Sequence, residues 1–358
     1  MIFSHLATGR RGHLAIAESR AETATHALSG DALLLVSSWE RRCTEICTAQ
    51  LGSFDTAAVL RFADSGKSGR RASHDLTLLE RVRKVATNLV DLPSLAVHDF
   101  FGWRDALADF IVTTRARLER PIDLVVDMTC LPKYYLLLIL GFCVKTGAVR
   151  AITFFYAEGR YAPAGANIAL AADHAFTQGE WTSFPVPYLE GELNPGRKIR
   201  VLASVGFETF QARKFMRAYE AERHVLITPN PGFTQEYEAR SDAEALALAS
   251  NLDVPPEEMV RAPAGGVVET SAAIIAALDA DDRFNDVGLC LGTKPHALGM
   301  GIAAQLRPRF TLVCRLPEAY VESDTPALGH SWVYIIEDLS AGYARSNLAH
   351  VDLVATDT

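Results

Sequence analysis

Six cysteines (Cys43, Cys47, Cys130, Cys143, Cys290, Cys314) form no C-x-x-C pair, which removes the pattern of zinc ribbons and thioredoxin-type redox centres. Ten histidines form no H-E-x-x-H and no clustered ligand set, so neither a metal nor a cofactor is expected. Ser37 lies in no G-x-S-x-G elbow, and no His and Asp stand at triad spacing with it, which argues against a hydrolase of that type. The longest apolar run, 134–144, stops at Lys145, short of the about 20 residues that span a bilayer. The first 20 residues contain no apolar segment of signal-peptide type, so a cytoplasmic protein with reduced thiols is expected. Positive charge is also scarce: 35 Lys and Arg face 43 Asp and Glu, for a net charge of -8. Broad binding to duplex nucleic acid needs a basic face and is excluded, whereas a local basic pocket for a small polyanion is not.

What is present is the composition of a globular chain, 49% hydrophobic and 22% charged, and 358 residues suit two domains. The chain is organised around GTKPHALGMG, from Gly292 to Gly301. An apolar strand precedes it and an apolar, small-residue helix follows, with Pro295 in the first turn where a missing N–H costs little. Strand, Gly-Thr-Lys loop and helix together suit an anion: Gly292 permits close backbone approach, and Thr293 and Lys294 add a hydroxyl and a charge to the helix N-terminus. It is not a Walker A loop, whose spacing it lacks.

The same pattern occurs earlier in DMTCLPK, where Thr129 ends a strand and Lys133 opens an apolar helix. Further pairs follow in the same order. Ser37 and Glu40 in LLLVSSWE correspond to Ser204 and Glu208 in VLASVGFE, and Tyr161 corresponds to Tyr320. This order points to an internal duplication of an α/β unit.

Strands are expected at 32–37, 57–62, 94–97, 124–127 and 151–156, alternating with helices at 40–49, 76–89, 103–118 and 132–145. In the second half strands are expected at 199–204, 224–228, 259–261, 287–291 and 311–314. Helices there are expected at 208–219, 242–251 (with Asp242 as N-cap), 267–278 and 295–306. Such alternation implies parallel strands with right-handed crossovers, hence two Rossmann-like lobes, 1–194 and 195–358. FPVPYLEG is expected to close the first sheet and WVYIIEDL the second. The loop DSGKSGRR (64–71) is basic, a candidate ligand contact or simply solvated.

In open parallel sheets ligands sit beyond the carboxyl ends of the strands, which is where Ser37, Glu40, Thr129, Lys133, Tyr161, Ser204, Glu208, Thr293, Lys294 and Tyr320 fall. Two facing lobes would place both sets on one cleft, suited to a phosphate-bearing ligand. Asp127 is the candidate catalytic carboxylate: it ends an apolar strand, where burial raises a carboxyl pKa, although an Asp there also serves to cap the following turn. His296 is expected to be exposed on its helix.

The strand that ends in a Gly-Thr-Lys-Pro turn, set in a Rossmann-like core that meets a second such core, resembles the CARF domains, CRISPR-associated Rossmann-fold sensors of cyclic oligonucleotides. The resemblance implies ligand contacts from Thr293, Lys294 and the loop 204–208. In the first half it rests on Ser37, Thr129 and Lys133, since DMTCLPK lacks the glycine. It implies a nucleotide or cyclic-oligonucleotide sensor in prokaryotic antiviral defence, whose effector is a separate protein or the lobes themselves, because the two lobes leave no room for a nuclease domain. Two other readings stay open: a two-lobed nucleotide-dependent enzyme, such as a nucleotide-sugar glycosyltransferase or nucleotide hydrolase, and an assembly scaffold.

Overall fold

The computed structural model describes residues 5–21, 27–63, 69–160, 177–207, 209–322 and 325–341. The first half supplies strands β1 (His5–Arg11), β2 (Leu14–Arg20), β3 (Ala32–Ser37), β4 (Phe54–Arg61), β5 (Ala86–Val90), β6 (Ile122–Asp127), β7 (Val149–Gly159) and β8 (Thr177–Pro185). Its helices are α1 (Gly69–Val85), α2 (Phe100–Leu118) and α3 (Lys133–Thr146). The second supplies β9 (Lys198–Ser204), β10 (Arg223–Pro229), β11 (Met259–Ala262), β12 (Phe284–Cys290), β13 (Phe310–Tyr320) and β14 (Ala327–Glu337). Its helices are α4 (Thr209–Ala218), α5 (Gln235–Leu252), α6 (Val267–Asp279) and α7 (Lys294–Leu306).

These elements form two Rossmann-like lobes with one topology. The parallel strands of the first sheet run β7-β6-β3-β4-β5, and those of the second run β13-β12-β9-β10-β11. In both, the first parallel strand lies between the second and the fourth, which sets the switch point between β3 and β6 and between β9 and β12. The central strands are apolar along their length: β3 reads ALLLVS and is buried throughout, as parallel strands covered on both faces require.

The closing strands are exchanged, the reverse of the expected pairing. β8, which holds the start of FPVPYLEG, runs antiparallel to β13 in the second sheet, from Val313↔Pro185 to Tyr320↔Thr177. β14, which holds most of WVYIIEDL, runs antiparallel to β7 in the first sheet and carries the β1–β2 hairpin on its other edge. Sheet membership therefore crosses residue 194 in both directions. The cause is non-local: after its fifth parallel strand each half contributes the next strand to the neighbouring sheet, and the apolar pattern of a strand does not name its partner.

The lobes also share a core. α3 is buried from Tyr134 to Val144 and α7 from Pro295 to Ala304, so each helix is covered on all sides, and they pack against each other. At Gly301 the approach is so close that a Cβ would lie 2.7 Å from the side chains of both Leu137 and Leu140. A further tie is Glu18 of β2, whose carboxyl accepts the N–H groups of Val267 and Val268 at the start of α6 (2.7 and 3.1 Å). Burial and the neighbouring Glu269 push the Glu18 pKa up.

Several local expectations are corrected. The residues 94–97 form no strand beyond a bridge from Leu95 to Phe62; β5, ATNLV, occupies the third position instead. The segment 40–49 holds a 3-10 helix (Arg41–Cys47), and α5 starts at Gln235, capped by Thr234 rather than Asp242. Residues 64–68 of the basic loop lie outside the described residues. Among the described residues no helix is long and apolar enough to cross a membrane.

Candidate functional site

A cavity of about 350 Å³ lies between the lobes, beyond the carboxyl ends of β3, β6, β9 and β12. From the first lobe it is lined by the β3 loop (Ser37, Ser38, Trp39, Glu40), Arg42 of the 3-10 helix, and Lys133 at the start of α3. From the second it is lined by Gly206 and Phe207 after β9, Gly292, Thr293 and Lys294 before α7, and Arg315 and Tyr320 of β13. Of the sequence candidates, the cavity thus gathers Ser37, Glu40, Lys133, Gly292, Thr293, Lys294 and Tyr320. Tyr161 and Glu208 lie outside the described residues.

The two lysines are disposed reciprocally. Lys133 Nζ donates to the Leu291 carbonyl at 2.7 Å, and Lys294 Nζ donates to the Thr129 carbonyl at 2.5 Å. Each thus leaves its own helix start and ends on the loop of the opposite lobe. Burial, with Arg42 and Lys133 close by, lowers the Lys294 pKa to about 8.

Gly292 has a different neighbour from the one expected. Its amide donates to Ser204 Oγ at 3.0 Å, and a Cβ there would lie 2.9 Å from the Val205 carbonyl, so the close approach is to the chain's own backbone. Gly206 faces it in the same way, with 2.5 Å between a Cβ and the Leu291 carbonyl. The two glycines bring the β9 and β12 loops together. Thr293 is also engaged: its hydroxyl caps α7 by accepting the His296 N–H (3.1 Å) and donates to the Ala264 carbonyl (2.8 Å).

Ser204 and Thr129 support the site without lining it. Thr129 Oγ1 accepts the Ala157 N–H at 3.0 Å. Asp127 is fully buried and is not among the lining residues; its Oδ1 accepts the Thr129 N–H at 2.9 Å, the turn-capping arrangement, while Oδ2 has no hydrogen-bond partner among the described residues. Burial raises its pKa to about 6. His296 is buried rather than exposed, with Nε2 3.0 Å from the Pro263 carbonyl, and burial lowers its pKa to about 4.

Sequence reasoning missed Arg42 and the aromatic lining. Arg42 is only 3% exposed and its Nε donates to Glu40 Oε2 at 2.7 Å. On the second wall the rings of Phe207 and Tyr237 meet at 4.5 Å, and Arg240 lies over Phe207 at 4.3 Å. The sequence carries a signal for Trp39 and Phe207: both precede the Glu of the duplicated Ser-to-Glu segments, SSWE and SVGFE. Among the described residues no group of three or more His, Cys, Asp or Glu is arranged to hold a metal.

No family model and no curated protein matches the chain. Solved structures similar to it include a functionally unknown protein from Pseudomonas aeruginosa PAO1, at 11% identity and a TM-score of 0.22, covering 79% of this chain and 91% of that one. Another is the cytoplasmic domain of a prokaryotic cation chloride cotransporter, at 9% identity and a TM-score of 0.26, covering 82% and 98%.

Proposed function

We propose that the interlobe cavity binds a small phosphate-bearing ligand, a nucleotide or cyclic oligonucleotide, and that the protein is a sensor of it. The charge of the lining supports this most: among the described lining residues Arg42, Lys133, Lys294 and Arg315 face Glu40 and Glu318, in a chain whose net charge is -8. Three of these cations, Arg42, Lys133 and Lys294, follow the strands at the switch points and Arg315 comes from β13; together they form a local field of the sign opposite to the rest of the chain. The aromatic side chains beside them offer surfaces for a base.

Sensing works through the two lysines. Each holds a carbonyl of the opposite lobe, and an anion that draws both away releases the Leu291 and Thr129 carbonyls together. The loops before α3 and α7 then rearrange, and a separate effector protein reads that change, as the resemblance to CARF sensors of antiviral defence implies. Hinged closure of one lobe on the other is not the switch, because the exchanged strands and the α3–α7 contact already join them.

Calorimetric titration of nucleotides, cyclic oligonucleotides and pyrophosphate tests the reading. At least one should bind, Lys294→Ala should weaken it by about 1.5 to 3 kcal/mol, the scale of a hydrogen bond to a charged group, and the ligand should be recovered chemically unchanged. Equal affinity of wild type and variant would remove the site, and turnover of the ligand would replace the sensor by an enzyme.

A further inference from the structure

The duplicated walls of the cavity are not equivalent in the polar groups they leave open. In the second lobe the Ser204 hydroxyl accepts the Gly292 N–H, and Thr293 caps the start of α7. The first lobe differs at two places, although its Thr129 hydroxyl is engaged by the Ala157 N–H. Ser37, 1% exposed and lining the cavity, has an Oγ with no hydrogen-bond partner among the described residues, and Pro132 at the start of the 14-residue α3 provides no side-chain cap. A buried hydroxyl without a partner costs free energy unless something supplies one, and an uncapped helix start offers N–H groups to an anion. Arg42 stands on the same wall. The Gly-Thr-Lys loop, the stronger anion motif in the sequence, is therefore the one whose hydroxyl and glycine amide are occupied.

We infer that the anion subsite lies on the first lobe's wall, at Ser37, Arg42 and the start of α3, and that the ligand is one-ended: a nucleotide whose phosphates sit there and whose base lies against Phe207 and Tyr237. This rests on the reading of the cavity as a phosphate-ligand site and narrows it. A twofold-symmetric ligand would need the same donors from both walls. The volume of about 350 Å³ agrees, since it lies near the lower end of the roughly 300–1,000 Å³ usual for small-molecule pockets. Trp39 is the aromatic counterpart of Phe207 on the first wall, so the two rings give a paired comparison.

The test titrates full-length protein with the four nucleoside diphosphates, pyrophosphate and a twofold-symmetric cyclic dinucleotide. One nucleoside diphosphate should bind with a stoichiometry of one. Ser37→Ala, which removes a hydroxyl that bonds to none of the described residues, should weaken both that nucleotide and pyrophosphate about tenfold at an unchanged melting temperature. Phe207→Leu, which keeps apolar volume and removes the ring, should weaken the nucleotide about tenfold and leave pyrophosphate alone, with Trp39→Leu having a smaller effect. The inference is overturned if Ser37→Ala leaves both affinities within twofold, if the two ring variants weaken the nucleotide equally, or if the cyclic dinucleotide binds more tightly than every nucleoside diphosphate. If none of these phosphates binds, the parent reading fails and this one with it.

Discussion

Lys133 holds the Leu291 carbonyl at 2.7 Å from the far side of the lobe boundary, so one side chain both lines the cavity and fastens the second lobe's loop. A cation in that position serves stability until a ligand competes for it. Lys133→Met should lower the unfolding free energy by about 1 to 3 kcal/mol in the absence of ligand, the worth of a charged hydrogen bond together with the carbonyl left behind. Urea titration measures it, and an unchanged midpoint would show that the bond contributes nothing.

The Lys294 pKa of about 8 sets a pH dependence of binding. An anion beside the ammonium favours its charged form and raises this pKa, so the complex holds the proton more tightly than the empty site. Affinity should be level near pH 7.5 and fall as pH rises past 8, with proton uptake on binding near pH 9. Calorimetry in two buffers of different ionisation enthalpy counts the protons. Uptake that persists in Lys294→Met would assign the effect to another group.

Asp127 contributes to stability with the opposite sense from a salt-bridged aspartate. Its folded pKa of about 6 lies above the ordinary value, so the folded chain holds a proton that the unfolded chain releases between roughly pH 4 and 6. Its contribution is complete below pH 4 and is lost as pH rises through 6, with a span of at most about 3 kcal/mol at 1.36 kcal/mol per unit. Asp127→Asn keeps an oxygen for the Thr129 N–H and should flatten that part of the stability curve. Chemical denaturation at pH 4, 5, 6 and 7 checks it, and identical curves for wild type and variant would contradict it.

The exchanged strands make a prediction about the halves. Residues 1–194 expressed alone should leave β7 without β14 and strand β8 without β13, and residues 195–358 should suffer the reciprocal loss. Each exposes an unpaired edge prone to association. Expressed together they should form a soluble one-to-one complex, while either alone should aggregate. Monomeric, cooperatively unfolding single halves would show that the exchange is dispensable.

The parts of the fold legible in the sequence were those written in contiguous residues. ALLLVS gave β3 at its observed bounds, because a strand buried on both faces is a continuous apolar run. The duplicated lysines were found because a strand, a turn and an apolar helix occur twice in the same order. The β2 strand was missed because LAIAESR carries Glu18 and Ser19, which are buried only through partners far along the chain. The exposure of His296 was misjudged for the same reason: its ring meets Pro263, on a loop 33 residues away. Which hydroxyls of the site are engaged depends on such contacts too, so Ser37 and Ser204 look alike in sequence and differ in the fold.

Joining the two lobes in one chain has a consequence for how the cavity can change. Were the lobes two copies of one polypeptide, every substitution would fall on both walls at once, and a serine freed on one side would be freed on the other. Here the codons for Ser37 and Ser204 vary separately. Mutation can therefore reshape one wall for a new ligand while the other keeps its internal bonds and holds the fold.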